Sequence, residues 1–343
     1  MFFFQIRLFS AIILQMADSK KTLLSGVKPT GSPHIGNYLG AMKQFVELQN
    51  DYNSSIFIAD YHALTTLQDP QKLEEYTTSV ALDYLALGLD PLKVILYKQS
   101  DVPEHTELAW IFNCITTVPY LMRAHAFKDS QAKNKEISVG TFDYPMLMAA
   151  DILMYDADVV PVGKDQKQHI EIARDTAGKF NRIFGDTFTV PEALILEDAA
   201  IVPGIDGQKM SKSYNNTIPL FGETDELKRA IMSIVTDSKG VDDKKDSEKD
   251  NVFALHKFFS ESELPELEKR YKEGNIGYKE SKEILFKNIE AFVSPLREKR
   301  NELSKDKSMV YDVLKKGGEQ ARKIAQEKMA DVRKKIGVTL ISK

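Results

Sequence analysis

Through its first two-thirds the chain alternates short runs rich in β-branched and aliphatic residues with helix-length stretches. The runs are TLLSG at 22–26, SSIFIA at 54–59, KVILY at 93–97 and DVVPV at 158–162. In most of the intervening segments, 37–49, 71–88, 104–113 and 144–156, apolar residues recur at i, i+3 and i+4, the spacing of one helix face. Strands separated by helices call for crossover connections, so the pattern predicts an α/β domain with a parallel sheet wrapped by helices over residues 22–216. Past about Glu223 the strand signals stop. ELKRAIMSIVTD, NVFALHKFFS, KESKEILFKNIEAFVSPLREKRNEL and GEQARKIAQEKMADVRKKI read as amphipathic helices, which makes residues 217–343 a helical module. The charged stretch 237–250 reads as a loop or helix edge.

Two domains suit a chain of 343 residues, and 43% hydrophobic with 28% charged residues is the mix of a packed protein rather than a disordered one. The single cysteine, Cys114, excludes an internal disulfide, a cysteine-built zinc cluster and an iron–sulfur centre held by this chain alone. It fits a reducing compartment and an expected cytoplasmic location. The net charge of −4 hides an asymmetry: residues 301–343 carry +5 and the rest −9. A basic tail on an acidic body suits a polyanionic partner, and equally a solvated helical face. The opening MFFFQIRLFSAIILQMA is apolar, yet Gln5 and Arg7 interrupt it and it falls short of a membrane span. Three readings of this extension, residues 1–21, stay open: a weak export or organelle signal, a packed extension, or sequence upstream of a start at Met16. The third is favoured, because the first core strand begins only near Thr22.

The first strand runs into SGVKPTGSPHIGNYLGA, residues 25–41. Gly26, Gly31 and Gly36 allow close backbone approach, Pro29 and Pro33 stiffen the loop, and His34-Ile35-Gly36-Asn37 stands where a helix begins. Imidazole and amide donors at a helix N-terminus suit phosphate. The segment is neither a Walker A motif nor GxGxxG, and alone it is weak evidence. Far downstream, GIDGQKMSKSYNN contains Lys209-Met210-Ser211-Lys212-Ser213. Lysine supplies charge and serine directional donors, as a mobile clamp on a polyphosphate requires, although an exposed basic turn would look the same.

Taken together, HIGN at 34–37 and KMSKS at 209–213 resemble the two signatures of class I aminoacyl-tRNA synthetases. DYHALTT (60–66), QSDVPEHTELAWIFNC (99–114), YPMLMAADIL (144–153), VPVGKDQKQH (160–169) and IVTDSKG (234–240) extend the likeness over residues 22–343, toward the bacterial-type tryptophanyl-tRNA synthetases. The resemblance implies a Rossmann-type catalytic domain followed by a helical tRNA-binding domain. It implies activation of L-tryptophan with ATP, transfer to tRNA(Trp), magnesium carried by ATP with no protein-bound metal, and a homodimer. Catalytic roles fall to His34, Asn37, Lys209 and Lys212. ATP contacts fall to Lys28, Pro29, Thr30, Gly36, Asn37, Gly163, Lys164, Asp165, Ile201, Lys209, Met210, Ser211, Lys212 and Ser213.

Tryptophan contacts are assigned by the same likeness to Leu24, His62, Tyr144, Met148, Asp151 and Gln166. On a helix opened by Tyr144-Pro145, Tyr144, Met148 and Asp151 share one face at i, i+4 and i+7. Asp151 lies in apolar MLMAADILMY, where an ionised carboxylate needs a donor. Indole N–H or phenol O–H would serve, as would a purely structural partner. Apolar Leu24 and Met148, where tyrosine enzymes place polar partners for a phenol, favour the indole. Lys28 suits the amino-acid carboxylate or ATP phosphates, and His62 either lines the pocket or fills the core. A small-molecule nucleotidyltransferase would explain residues 25–41 but neither the 144–151 face nor the helical module. Trp110, Ile111, Phe112 and Tyr120 form the expected dimer face, although a buried helix would look identical.

Overall fold

The computed structural model describes residues 20–124, 127–128, 131, 136–163, 167–195 and 202–339. The extension up to residue 19 and the expected contacts Lys164, Asp165, Gln166 and Ile201 lie outside the described residues. Five strands form one parallel sheet in the order β3-β2-β1-β4-β5. They are β1 (Thr22–Val27), β2 (Asn53–Ile58), β3 (Val94–Lys98), β4 (Val159–Val162) and β5 (Glu192–Ile195). Four of them match the apolar runs within a residue or two. β5 does not, because its four residues are exposed or only partly buried and carry no strong alternation. Helices α1 (Ile35–Asn37), α2 (Lys43–Leu48), α3 (Asp60–Ala63), α4 (Pro70–Ala86), α5 (Glu104–Ile115), α6 (Val118–Leu121), α7 (Val139–Leu153) and α8 (Lys167–Phe184) wrap the sheet. A π-helical stretch, Tyr38–Met42, joins α1 to α2.

The order reverses between β1 and β4, which pair through Leu23 and Val159. Loops leaving these neighbouring strands diverge to opposite faces, which opens a crevice at their carboxyl ends, the usual ligand position in an open α/β sheet. β4 is buried throughout and β1 centrally, at Leu23, Leu24 and Ser25, so the crevice floor is fixed by core packing.

Two helices differ from the sequence expectation. α7 begins at Val139, not at Tyr144-Pro145. Ser138 supplies an earlier N-cap, its hydroxyl accepting from Thr141 N at 3.2 Å, and Pro145 is carried inside the helix. The shared face of Tyr144, Met148 and Asp151 is retained.

After α9 (Thr224–Met232), α10 (Asn251–Phe259), α11 (Leu264–Glu273) and α12 (Tyr278–Lys305), the last helix α13 spans Lys307–Lys335. It runs straight through Gly317-Gly318, where the sequence pattern places the start of its helix. The reason is steric: a Cβ on Gly317 would lie 2.0 Å from the Leu96 carbonyl oxygen, and one on Gly318 2.9 Å from Asp101 Cβ. Glycines let α13 lie directly on β3 and cover that edge strand. Phe112 also departs from expectation. It is wholly buried against Phe180 and Phe188, with ring centroids 6.2 and 5.4 Å away, so it belongs to the core and not to an outer face. Trp110, on the same helix, is 69% exposed. Among the described residues no helix is long and apolar enough to cross a membrane.

Gly317→Ala should therefore lower stability by about 1–3 kcal/mol through overpacking. Gly178→Ala in α8, where nothing lies within 4 Å of the added methyl, should be neutral or stabilise by up to about 1 kcal/mol. Urea unfolding of both variants checks the pair; similar effects would contradict the docking of α13 on β3.

Candidate active site

His34 caps the helix after β1. Its Nδ1 accepts from Asn37 N at 3.2 Å, while Asn37 Oδ1 accepts from His34 N at 3.1 Å, a reciprocal capping box. Because Nδ1 is an acceptor, the neutral ring carries its proton on Nε2, which remains available as a donor. Burial, and then the nearby charge of Lys212, lower its pKa to about 4, so the ring is neutral at pH 7. Gly36 leaves little room for a side chain: a Cβ would meet the His34 ring at 3.0 Å and Met210 Cβ at 3.3 Å.

The KMSKS loop is held against this turn. Gly36 N donates to Met210 Sδ at 3.4 Å, Ile35 N to Ile218 O at 2.9 Å, and Leu220 N to Pro33 O at 3.1 Å. Lys212 Nζ donates to Thr30 O at 2.9 Å. The loop's own shape comes from Asn216, a buried residue that sequence reasoning missed. Its Oδ1 accepts from Ser211 N at 2.7 Å, and its Nδ2 donates to Asp206 Oδ1 at 2.7 Å and Lys209 O at 3.1 Å. Its position inside YNN, just past the motif, was the available signal.

These elements border a cavity of about 670 Å³, lined among others by Thr30, His34, Asn37, Gly163, Lys209 and Lys212. A second cavity, of about 450 Å³, adjoins it and shares Gly26, Lys28 and Gly163. Its walls include Leu24, Phe57, His62, Tyr144, Met148 and Asp151. Lys28 stands at the junction, donating to Thr65 Oγ1 at 3.1 Å, and burial lowers its pKa. Pro29 is buried behind it. The structure thus brings most of the described members of the expected site to these two adjoining cavities, from segments far apart in the chain. A larger cleft of about 740 Å³ between α4 and α13 lies apart from these residues and carries charges of both signs, among them Lys98, Asp101, Lys315 and Arg322.

Asp151, fully buried, is the pocket's anionic group. Oδ1 accepts from Gln99 Nε2 at 2.8 Å and His105 Nδ1 at 2.5 Å; Oδ2 accepts from Gln99 Nε2 at 2.9 Å and His62 Nε2 at 2.8 Å. Burial alone would push this carboxyl up, but the donors His105 and His62 more than offset it and hold the pKa at about 2. His105 is oriented from behind by Tyr155, whose hydroxyl lies 2.8 Å from Nε2. Gln99 and His105 are the other positions missed; a glutamine directly after the buried run VILYK and a histidine within an otherwise core-facing helix were the signals. His62 has 14% of its side chain exposed, against none for His105, and faces the cavity. Tyr144 Oη lies 2.8 Å from His169 Nε2. Among the described residues no group of three or more His, Cys, Asp or Glu could hold a metal ion.

Residues 16–294 match the family model for class I tRNA synthetases (W and Y). The chain is 50% identical over 320 residues to the tryptophan–tRNA ligase of Fusobacterium nucleatum, covering 93% of this chain and 98% of that one. It is 48% identical over 317 residues to the same enzyme of Rhodopirellula baltica, covering 92% and 99%. The crystal structure of tryptophanyl-tRNA synthetase from Campylobacter jejuni, complexed with ADP and tryptophan, superposes with a TM-score of 0.86 at 48% identity. That match covers 92% of this chain and 99% of the other.

Two buried histidines, one of them in the site, set an acid limb of stability. His34 and the buried His256 both have pKa values lowered to about 4 from an ordinary 6.5, so the folded chain binds fewer protons than the unfolded chain between those values. Their contribution is complete above about pH 6.5 and declines as pH falls toward 4, by at most about 1.4 kcal/mol per pH unit for each histidine. Asp151 is retained further, losing its contribution only between 3.8 and about 2. His34→Gln should flatten the dependence of unfolding free energy on pH between 6.5 and 4. An unchanged slope in denaturant titrations would contradict the assigned neutral ring.

Proposed function

We infer the chemistry of this chain from its family: it belongs to the class I tRNA synthetases of the tryptophan and tyrosine family, and its reaction is the ATP-dependent ligation of L-tryptophan to tRNA. The observation that carries the site assignment is the adjoining pair of cavities, one bordered by donors suited to phosphate and the other an apolar slot around a buried carboxylate.

ATP, with its magnesium, occupies the larger cavity. Its adenosine lies toward Gly163, Lys164, Asp165 and Ile201, and its phosphates lie among Thr30, Gly36, His34, Asn37 and the loop residues Lys209 to Ser213. Tryptophan occupies the smaller cavity, with the ring against Leu24 and Met148. Tyr144 and Gln166 hold the amino group. Lys28, at the junction, neutralises the carboxylate as it meets the α-phosphate. A carboxylate oxygen attacks the α-phosphorus, the bond to the bridging oxygen breaks, and pyrophosphate leaves as tryptophanyl-AMP forms. The 2′-hydroxyl of the terminal tRNA ribose then attacks the acyl carbon and AMP departs. Positioning and charge stabilisation do most of the work in the first step: His34 Nε2–H, Asn37, Lys209 and Lys212 meet negative charge that builds on the transferring phosphate and leaving group.

Asp151 accepts the indole N–H. Its four acceptor positions are already taken, so the ligand replaces one donor. His62 is the one that yields, being the partner with solvent access. The residues from 217 on serve tRNA binding. Exposed Trp110, Val118 and Met122 form the face of a homodimer, and the protein works in the cytoplasm.

Lys212→Ala should slow tryptophan-dependent pyrophosphate exchange by roughly 2.7–4 kcal/mol of activation free energy and leave tryptophan affinity nearly unchanged. A raised tryptophan KM with unaltered kcat would overturn that role. 1-Methyltryptophan, lacking the N–H, should be a poor substrate for the natural protein. In Asp151→Ala its disadvantage should largely vanish. Melting is measured first, because the substitution orphans His105 and Gln99 at about 1–3 kcal/mol each. An alanine variant that still prefers tryptophan would make Asp151 structural.

A further inference from the structure

Asp83, on α4, lines the nucleotide cavity and is the acidic residue among its walls. The residue is wholly buried. Oδ1 accepts from Arg300 Nε at 2.5 Å, and Arg300 Nη2 also donates to Ser79 Oγ at 2.8 Å, so a guanidinium from α12 fixes the carboxylate in place. Oδ2 has no hydrogen-bond partner among the described residues. A half-satisfied anion is costly in a core, and a negative charge beside a phosphate site works against the ligand. The bond to Arg300 offsets these costs at one oxygen only.

Asp83 and Lys212 line the same cavity, and the two opposite charges attract without a hydrogen bond between them: Lys212 Nζ instead donates to Thr30 O. We propose that Asp83 is a positioning residue whose buried charge, anchored by Arg300, draws Lys212 over the mouth of the nucleotide cavity before ATP arrives. Burial pushes the Asp83 carboxyl up to about 6; Arg300 and then Lys212 act against that rise, and the carboxylate remains mostly ionised at pH 7. When phosphates enter, Lys212 has a stronger anion to meet, and Asp83 remains paired with Arg300. The clamp is therefore set by a residue from the sheet domain that is itself held by the helical region, which couples the position of α12 to the KMSKS loop. The proposal rests on the reading of Lys212 as a phosphate-binding lysine.

Two measurements on the full-length protein test it. In the first, ligand-free protein is lightly acetylated and the modification of Lys212 is compared with that of Lys209 by mass spectrometry. Asp83→Asn, which keeps an oxygen for Arg300, should raise the Lys212-to-Lys209 ratio about threefold, because loss of the opposite charge frees the amine and favours its neutral form. Asp83→Leu, which fills the space without an acceptor and leaves Arg300 its bond to Ser79, should do the same. An unchanged ratio in the folded variants would overturn the proposal. In the second, Asp83→Asn should lower kcat/KM for ATP in pyrophosphate exchange about tenfold in the natural background and less than about twofold in Lys212→Met, with tryptophan KM unchanged in both. Equal losses in the two backgrounds would make Asp83 merely structural. Absence of tryptophan-dependent exchange in the natural protein would count against the function instead, and the acetylation ratio would still decide the Asp83–Lys212 contact.

Discussion

The site depends on one tertiary contact, the seating of Met210 on the first turn after β1. Gly36 N and Met210 Sδ are 174 residues apart in the chain, and their contact sets the two halves of the donor set side by side. The capping box turns His34 so that Nε2–H is free, and the π-helical stretch after it carries the chain on into α2. Backbone bonds from Ile35 and Leu220 brace the return segment beside it, and Asn216 gives the loop its shape. Steric limits make the contact specific: a methyl group at Gly36 would press on both the imidazole and Met210. Lysines in a loop otherwise exposed are thereby delivered to a fixed place above a rigid sheet edge.

The second cavity works by the opposite strategy, isolating a single charge in an apolar surround. Asp151 stays ionised only because Gln99, His105 and His62 supply donors to both oxygens, and two of these are held in turn, His105 by Tyr155 and Gln99 by its carbonyl oxygen accepting from His62 N at 3.4 Å. A saturated carboxylate is a demanding acceptor. A ligand has to offer a donor good enough to displace His62, and an apolar body that fits against Leu24 and Met148. An indole meets both conditions. Leu24 and Met148 offer a phenol hydroxyl no polar partner.

Much of the fold was legible because buried parallel strands announce themselves as unbroken β-branched runs, and four did. β5 is short and half-exposed, so nothing in EALI marks it. Pro145 and the Gly317-Gly318 pair misled for a common reason: local propensity marks them as boundaries, whereas tertiary context uses them inside helices, one behind an earlier cap at Ser138 and the other for close approach to β3. The residues that border the larger of the two adjoining cavities were legible as motifs, since backbone shape and charge there come from consecutive residues. In the shell of Asp151 only His62 was singled out; Gln99 and His105 reach it from 52 and 46 residues away, and no local pattern records which polar residues of a core converge. Asp83 was hidden for the same reason, its partner Arg300 lying 217 residues downstream. The division at residue 216 reads cleanly in the strand pattern, yet α13 returns to cover β3.

Pyrophosphate exchange into ATP by the natural protein, run separately with each of the twenty amino acids, bears most directly on the central claim that one apolar slot with a saturated carboxylate selects the ring while the paired motifs activate it. Exchange is expected with tryptophan, and only background with tyrosine and phenylalanine. Exchange of comparable rate with tyrosine, or exchange independent of any amino acid, would contradict that claim.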